Sequence, residues 1–422
     1  MKENNNLKWL YLDFNSYFAT IEQQVKPILR KKPVVIVPSV TDYTCAIAAS
    51  HEAKKLGIKT GTMIYKARSI CPDLICVQAD HEKYIYYHHK LVKEISKYIP
   101  IEQVCSVDEV ACKLLGKECN PKIIVNKAID IKKGIRKNVG DYISCSIGVS
   151  TNKFLAKIAS NLQKPDGLKI INSNKILQRI NHLNLSDLTG IGKRMEVRLL
   201  LSGITSIKKL YELSPKNMRK IWGNVLGEKF WYMLRGKDLE EDTYVKTKTI
   251  GHSHVLHPDW RDLKKSREIM RRLVLKAASR LRRKSFLCTR LKISIKTVTG
   301  KKFKSIEKFQ KLNDSFSLLE KANNIWIRLI RYYKIAKIMQ VNVVLYDLYS
   351  MDTKQLSLLD GIKSKNRQDE KKKKLVSKAM DSINSRFGRD SVTIGALPND
   401  VVRFSGTKIA FTRIPEIKEF YE

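Results

Sequence analysis

The sequence predicts an α+β protein built around a split βαββαβ unit, and three observations predict it. With residues 17–82 set aside, the hydrophobic patterns between Trp9 and Leu162 run strand, helix, strand, strand, helix, strand, helix. The stretch set aside has its own short strands and helices, so it reads as a small module inserted after the first strand. Acids also stand where apolar strands end. Asp13 nearly closes Trp9-Leu10-Tyr11-Leu12-Asp13-Phe14, and Asp108 and Glu109 sit side by side in Cys105-Ser106-Val107-Asp108-Glu109-Val110.

The adjacent pair constrains the backbone. Neighbouring strand residues point to opposite faces, so two acids serving one site need a strand end or a tight turn. Taken alone, the pair also suits a hairpin turn with two solvated carboxylates. Asp13 changes the weighting, because its strand and the strand beside Asp108 can be neighbours at the centre of one sheet. Carboxylates gathered in an apolar setting need a cation, since unpaired buried charge is costly. Hard oxygen donors, with no histidine or cysteine at metal-binding spacing, favour Mg²⁺.

In chain order, Tyr17–Val25 reads as a helix stopped near Pro27, and Pro33 and Pro38 bracket a short buried strand. Cys45–Ala49 is an apolar run leading into a helix from His51 to Leu56, which Gly57 ends. A helix from Ile64 to about Ile70 stops before Pro72, and His81–Ile99 is long, helical and rich in aromatics. After the acid pair come a strand at Val110–Leu115, a helix from about Ile123 to Lys137, a strand at Tyr142–Val149 and a helix at Asn152–Leu162. Beyond Gly167 the pattern changes to short helices with glycine turns. In Leu188-Thr189-Gly190-Ile191-Gly192-Lys193 the glycines let main-chain N–H groups face outward at a helix N-terminus, which suits a phosphate. The polar stretch 240–248 reads as a linker.

Charge dominates the composition. The 422 residues carry 81 Lys+Arg against 41 Asp+Glu, a formal net charge of +40, which points to a polyanionic partner, most often nucleic acid. A general lysine bias would raise the total as well, so position matters more than the sum. Residues 249–348 concentrate the excess. There Asp262–Lys284 is an amphipathic helix, and in the strand Arg290–Lys296 one face is Leu291, Ile293 and Ile295 while the other carries Arg290, Lys292 and Lys296. A sheet face of one charge sign is suited to tracking a phosphate backbone. No apolar run approaches a membrane span, the start of the chain reads as free of a signal peptide, and eight cysteines without a CxxC pair suggest neither zinc nor disulfides. A cytoplasmic setting is expected.

Three motifs in order carry a family resemblance. Asp13-Phe14-Asn15-Ser16-Tyr17-Phe18-Ala19-Thr20-Ile21-Glu22, Ser106-Val107-Asp108-Glu109, and Cys145 to Lys153 continuing through Ala156–Ser160 to Lys164-Pro165-Asp166-Gly167 closely resemble the Y-family translesion DNA polymerases of the UmuC/DinB type. The resemblance covers about residues 7–348. It implies a right-hand polymerase with a ferredoxin-like palm (1–16 and 83–172), small fingers (17–82), a helical thumb with a helix-hairpin-helix (173–240), a linker (241–248), a βαββαβ-like little finger that binds DNA (249–348) and a tail (349–422).

The same resemblance implies the chemistry: template-directed nucleotidyl transfer past damaged bases, with two Mg²⁺ ions held by Asp13, Asp108, Glu109 and the main-chain carbonyl of Phe14. Phe18 matches the family's steric gate, which excludes the 2′-hydroxyl; Tyr17 beside it is expected at the nucleotide with it, and is also the alternative core residue. Lys164 matches a lysine that meets the incoming triphosphate. His51 and Lys54 stand where the family commonly has Tyr and Arg; a lysine offers a point charge in place of a bidentate fork. Asn15 replaces a second Asp common in the family, at little expected loss. Gly190, Gly192, Lys193, Arg290, Lys292 and Lys296 are the expected DNA contacts.

The tail adds partners. Gln355-Leu356-Ser357-Leu358-Leu359 resembles the peptide by which bacterial polymerases dock on the sliding clamp, with Leu359 in place of the usual Phe; Gln355, Leu356, Leu358 and Leu359 would make the contact. Lys363–Lys374 reads as charged and disordered, and Lys374–Phe387 as a helix. Ala379 to Arg389 resembles the C-terminal segment of UmuC-type subunits, which leans the reading towards that branch and an UmuD-like accessory protein. Primer–template DNA, deoxynucleoside triphosphates and a nucleoid-associated bacterial setting complete the expectation. A non-catalytic DNA and clamp adaptor on the same fold, or a nucleotide cyclase on a palm fold, are the alternatives; an adaptor has no need of the three acids, and a cyclase no use for the basic domain.

Overall fold

The computed structural model describes residues 7–239, 247–351, 364–388, 391–395, 409 and 414–415. The chain divides into two compact units, Met1–Glu241 with Thr407–Ile417 and Asp242–Gly406 with Lys418–Glu422.

The first unit begins with β1 (Trp9–Phe14) and α1 (Tyr17–Val25). An inserted module follows, with β2 (Val34–Val37), β3 (Ala48–Ala49), α2 (His51–Lys55), α3 (Ile64–Ile70) and β4 (Ile75–Gln78). Its three strands form their own small sheet in the order β3-β2-β4. The chain then supplies α4 (His81–Ile95), β5 (Gln103–Val104), β6 (Glu109–Lys113), α5 (Pro121–Asn138), β7 (Cys145–Ser150), α6 (Lys153–Asn161) and β8 (Leu168–Ile171). These build a five-stranded sheet, β5-β6-β1-β7-β8, with β1 at its centre. Both helical crossovers skip one strand: α4 connects β1 to β5 around β6, and α5 connects β6 to β7 around β1. This is the split βαββαβ arrangement, extended by β8 lying parallel to β7.

The alternation of β1 decides which face is which. Leu10, Leu12 and Phe14 enter one core with buried residues of α4 and α5, such as Leu91, Ile95, Ile131 and Ile135. Tyr11 packs on the opposite face against Ala111 and Ala156 of α6. Close approach of α6 depends on Gly148, where a Cβ would stand 2.0 Å from the Ala156 carbonyl oxygen and 2.3 Å from Ser160 N. A separate apolar cluster joins α6 to five short helices, α7 (Ile176–Ile180), α8 (Lys193–Leu201), α9 (Ile207–Glu212), α10 (Pro215–Trp222) and α11 (Val225–Leu234).

The second unit runs β9 (Thr249–Val255), α12 (Leu263–Arg283), β10 (Phe286–Thr297), β11 (Lys302–Leu312), α13 (Ser315–Tyr333), β12 (Ile338–Ser350) and α14 (Ser364–Phe387). Its four strands form an antiparallel sheet ordered β11-β10-β12-β9. The string βαββαβ is that of the first unit, but here the second and fourth strands are central. Leu291, Ile293, Ile295, Val341, Val343 and Leu345 pack with α12 and α13, leaving the other sheet face to solvent.

Three expectations need correction. The long helix ends at Ile95 and not Ile99, and the chain passes through turns at 96–98 before Pro100, which disfavours helical geometry at Ile99. Strands β4 and β8 went unread. Residues 364–374, expected to be disordered, are helical and continuous with the rest of α14. Lysine and glutamate are good helix formers, and the C-terminal half is docked. Arg282 Nε and Nη2 donate to the two oxygens of Asp381 at 2.6 and 2.8 Å, and Ser377 Oγ, fully buried, accepts Ser315 N–H. A docked turn removes the nucleation cost, and the charged turns extend from it. None of the eight cysteines forms a disulfide. Among the described residues no helix is long and apolar enough to cross a membrane.

Candidate active site

The acid pair sits on the β5–β6 hairpin. Glu109 is the first residue of β6, and Asp108 lies in the bend just before it. Glu109 stands opposite Asp13 in the antiparallel register of β1 and β6, so both side chains leave the same face of the sheet. This is the face of Tyr11 and α6. Cys105 N–H and Ser106 N–H both donate to the Glu109 carbonyl, at 2.9 and 3.2 Å, which closes the bend. Phe14 N–H donates to the Asp108 carbonyl at 2.9 Å, holding the bend against the end of β1. Ser106 Oγ then donates to Asp108 Oδ1 at 2.6 Å and lies 3.4 Å from Glu109 Oε2. Adjacent residues thus reach one site because only Glu109 obeys strand alternation.

A cavity of about 1020 Å³ opens over this face. Its wall includes Asp13, Phe14, Tyr17, Phe18, His51, Lys54, Asp108, Glu109 and Lys164, every residue expected to bind metal or nucleotide. Phe18 is half-buried, with its ring on the cavity. Tyr17 borders the cavity but is a core residue, 3% exposed, and its hydroxyl donates to the Tyr84 carbonyl at 2.6 Å. Lys54 Nζ donates to Ser16 Oγ at 2.8 Å. His51 opens α2, whose N-terminus Ser50 caps.

Two lysines meet the acids. Lys164 Nζ lies 2.6 Å from Asp13 Oδ2, and Lys157 Nζ, from α6, lies 2.7 Å from Glu109 Oε1. Burial raises the Asp13 carboxyl above its ordinary value against the pull of Lys164, and burial raises Asp108 against the hydrogen bond from Ser106, with Glu109 adding like-charge repulsion. Burial lowers the Lys54 ammonium, and Lys164 adds to the effect. Among the described residues no three acidic, histidine or cysteine side chains converge on one point as they stand. As they stand, Asp13 and Glu109 are paired with different cations, Lys164 and Lys157. The donor set still suits a hard divalent ion: three carboxylates on one hairpin and strand end, two of them held above the usual range by burial.

Sequence reasoning missed two members of this cluster. Lys157 lies inside a quoted motif, and its spacing on α6 from the close-packed Ala156 could have placed it over the sheet. Asn15, expected to replace an aspartate at little loss, is 8% exposed and fully engaged. Its Nδ2 donates to Ser146 Oγ at 3.0 Å, and its Oδ1 accepts from Asp166 N at 2.8 Å and Ser144 Oγ at 3.2 Å. An aspartate could accept these bonds but not donate the first.

The remaining expected residues lie elsewhere. Gly190 has φ +94°, a left-handed turn, and Gly192 caps α8 ahead of Lys193, with nothing within 4 Å of a Cβ at Gly192. In the second unit, Arg290, Lys292 and Lys296 stand opposite Lys308, Ile306 and Lys302 on β11 and Tyr346, Val344 and Gln340 on β12. Arg290 also meets Asp347 at 2.8 Å. The acid of β11, Glu307, turns to the helical face, where Arg328 meets it at 2.7 Å. Gln355, Leu356, Leu358 and Leu359 lie outside the described residues, as do most residues of the expected linker.

Comparison with known proteins identifies the family. Residues 12–161 match the model of the impB/mucB/samB family, and residues 247–358 match that of the impB/mucB/samB family C-terminal domain. DNA polymerase IV of Moorella thermoacetica is 31% identical over 68% of this chain and 72% of its own length. DNA polymerase IV of Ureaplasma parvum serovar 3 is 31% identical over 70% of this chain and 82% of its own. Among solved structures, a Y-family DNA polymerase chimera of Dbh and Dpo4 superposes with a TM-score of 0.70 at 23% identity, covering 81% of this chain and 99% of its own. The lean towards the UmuC branch gains nothing from these relatives. The chain belongs to the impB/mucB/samB family of Y-family DNA polymerases.

Proposed function

We propose that this protein is a template-directed DNA polymerase that extends primers past damaged template bases, and that Asp13, Asp108 and Glu109 are its catalytic acids. The observation that carries the reading is that these acids line one cavity together with Phe18 and Lys164. Asp13, Asp108, Glu109 and the Phe14 carbonyl would hold two Mg²⁺ ions, whose charge would lower the pKa of the primer hydroxyl and stabilise the charge developing at the α-phosphate. Lys164, His51 and Lys54 would bind the triphosphate, and Phe18 would lie under the sugar and exclude ribose. A non-catalytic adaptor would have no use for three acids gathered on the wall of one cavity.

The finer assignments follow the same reading: palm (1–16 and 83–172), fingers (17–82), thumb (173–240) and little finger (249–348). The helix-hairpin-helix at Gly190, Gly192 and Lys193 and the basic strand with Arg290, Lys292 and Lys296 would grip the phosphate backbone. Synthesis would be of low fidelity and distributive, in DNA repair and the SOS response, within the bacterial cytoplasm and at the nucleoid. Clamp docking by Gln355–Leu359 rests on the sequence alone, and an UmuD-like partner on the UmuC resemblance.

Primer extension on an undamaged and an abasic template with Mg²⁺ tests the central reading. Asp108→Ala should abolish extension on both while leaving duplex binding intact. Extension surviving that change would sink the assignment of the acids.

A further inference from the structure

Glu22 closes the motif that starts at Asp13, yet it lines no part of the cavity described above. It is 1% exposed. Its carboxylate accepts from the Tyr84 hydroxyl at 3.0 Å, and each of its oxygens lies 3.0 Å from Lys83 Nζ. Tyr84 is itself fully buried, and its main-chain carbonyl accepts the Tyr17 hydroxyl. The Tyr84 ring lies flat on Phe18, with centroids 4.3 Å apart and planes 14° from parallel. His81 meets the edges of both rings, at 5.9 Å from Phe18 and 6.0 Å from Tyr84.

A side chain that selects by bulk discriminates only as far as it resists being pushed aside. Phe18 stands on a short helix at a cavity wall, where a half-buried phenyl ring has room to swing about its side-chain torsions. Tyr84 covers one face of that ring and His81 fences its edge, so a swing would break an offset-stacked contact and an edge contact together. Tyr84 cannot follow the ring, because its hydroxyl, its main-chain carbonyl and its packing are all committed. Its anchor, Glu22, sits four residues after Phe18 on α1, one turn further along the same helix. The helix that carries the ring therefore also carries the group that fixes the ring's support.

We propose that Tyr84, anchored by Glu22, is a positioning residue for Phe18, so that selection of deoxyribose over ribose depends on the Phe18–Tyr84 stack and not on Phe18 alone. This rests on the reading of Phe18 as the sugar gate.

Single-nucleotide insertion by the full-length chain, comparing kcat/KM for a deoxynucleoside triphosphate and its ribo counterpart, tests it. Phe18→Ala should collapse the ratio, and if it does not, the gate reading itself is wrong. Given that collapse, Tyr84→Leu should lower the ratio at least tenfold by raising ribonucleotide efficiency, with deoxynucleotide kcat within threefold of wild type. Tyr84→Phe keeps the stack and loses the hydroxyl anchor, and Glu22→Gln weakens the anchor; each should lower the ratio two- to fivefold. A Tyr84→Leu ratio within twofold of wild type overturns the inference, as does an equal fall in both efficiencies, the mark of general damage. Where Tyr84→Leu does not fold, the Tyr84→Phe/Glu22→Gln double variant decides: a lowered ratio supports the inference and an unchanged one overturns it.

Discussion

The side-chain amide of Asn15 accepts the main-chain N–H of Asp166 at 2.8 Å, tying the end of β1 to the loop that carries Lys164. Lys132 clamps the other side of that loop, donating to the Asp166 and Gly167 carbonyls at 2.6 and 2.9 Å. Lys164 is thereby brought to Asp13 by bonds that involve neither residue. Asn15→Ala would remove three hydrogen bonds at once, one buried and two part-buried, and take a partner from Ser146 and Asp166, at a cost of about 1–3 kcal/mol. We expect a lowered melting temperature and a raised KM for nucleotide. Unchanged nucleotide KM in a folded Asn15→Ala variant would show that the loop holds Lys164 without this tie.

His88 gives the fold a pH dependence just behind the acid pair. It is 4% exposed, and its Nδ1 lies 2.8 Å from the Val107 carbonyl, which can only accept, so Nδ1 carries the proton. Burial holds the imidazole below its ordinary value of 6.5, against the opposing pull of that carbonyl. A depressed folded-state value means the unfolded chain binds the proton more tightly. The contribution to stability is therefore complete above about pH 6.5 and is lost as pH falls through the folded-state value. Thermal melts between pH 5 and 7.5 should slope downward with acid, and His88→Gln should flatten that slope. An unchanged slope would place the titration elsewhere.

Gly148 sets how closely α6 lies on the sheet, and so where Lys157 meets Glu109. A methyl group there would press on main-chain atoms of α6 and not on a flexible side chain that could yield. Gly148→Ala should cost about 3 kcal/mol, at the upper end for overpacking. Denaturant melts would read the loss directly, and a cost under 0.5 kcal/mol would mean that α6 can shift freely.

The open face of the four-stranded sheet should announce itself in salt dependence. Lys292 and Lys296 project from it beside Lys302, Lys304 and Lys308, while Arg290 already has Asp347 as partner. Lys292→Ala and Lys296→Ala should each reduce the slope of log K against log salt by about 0.9 for duplex DNA. Arg290→Ala should reduce it less. Slopes unchanged in the lysine variants would take the phosphate backbone off this face.

Much of the candidate site was legible because its members carry their chemistry in their residue types and lie near strand ends. Asp13, Asp108, Glu109 and Lys164 were identified from three motifs, and the structure gathers them on one cavity. Lys157, Asn15 and Glu22 lay in those motifs and Tyr84 outside them, and their parts are set by partners far along the chain. The tail misled for a different reason. A lysine-rich segment has the composition of disorder, and the helix that contains it is anchored by partners far along the chain, Asp381 on Arg282 and Ser377 on Ser315.

By itself, the sequence determined the order of the main strands and helices around the acids, the residue types at the site and the sign of the charge. These are properties of local periodicity and composition, which act over a few residues. Tertiary structure decided which strands are central, and it did so differently in two units built from one βαββαβ string. It also placed Asp13 opposite Glu109, Phe18 flat on Tyr84, and Asn15 against Asp166. Strand register and helix packing set those pairings, because burying one face of each sheet leaves a single alignment in which apolar side chains are covered and polar groups are paired.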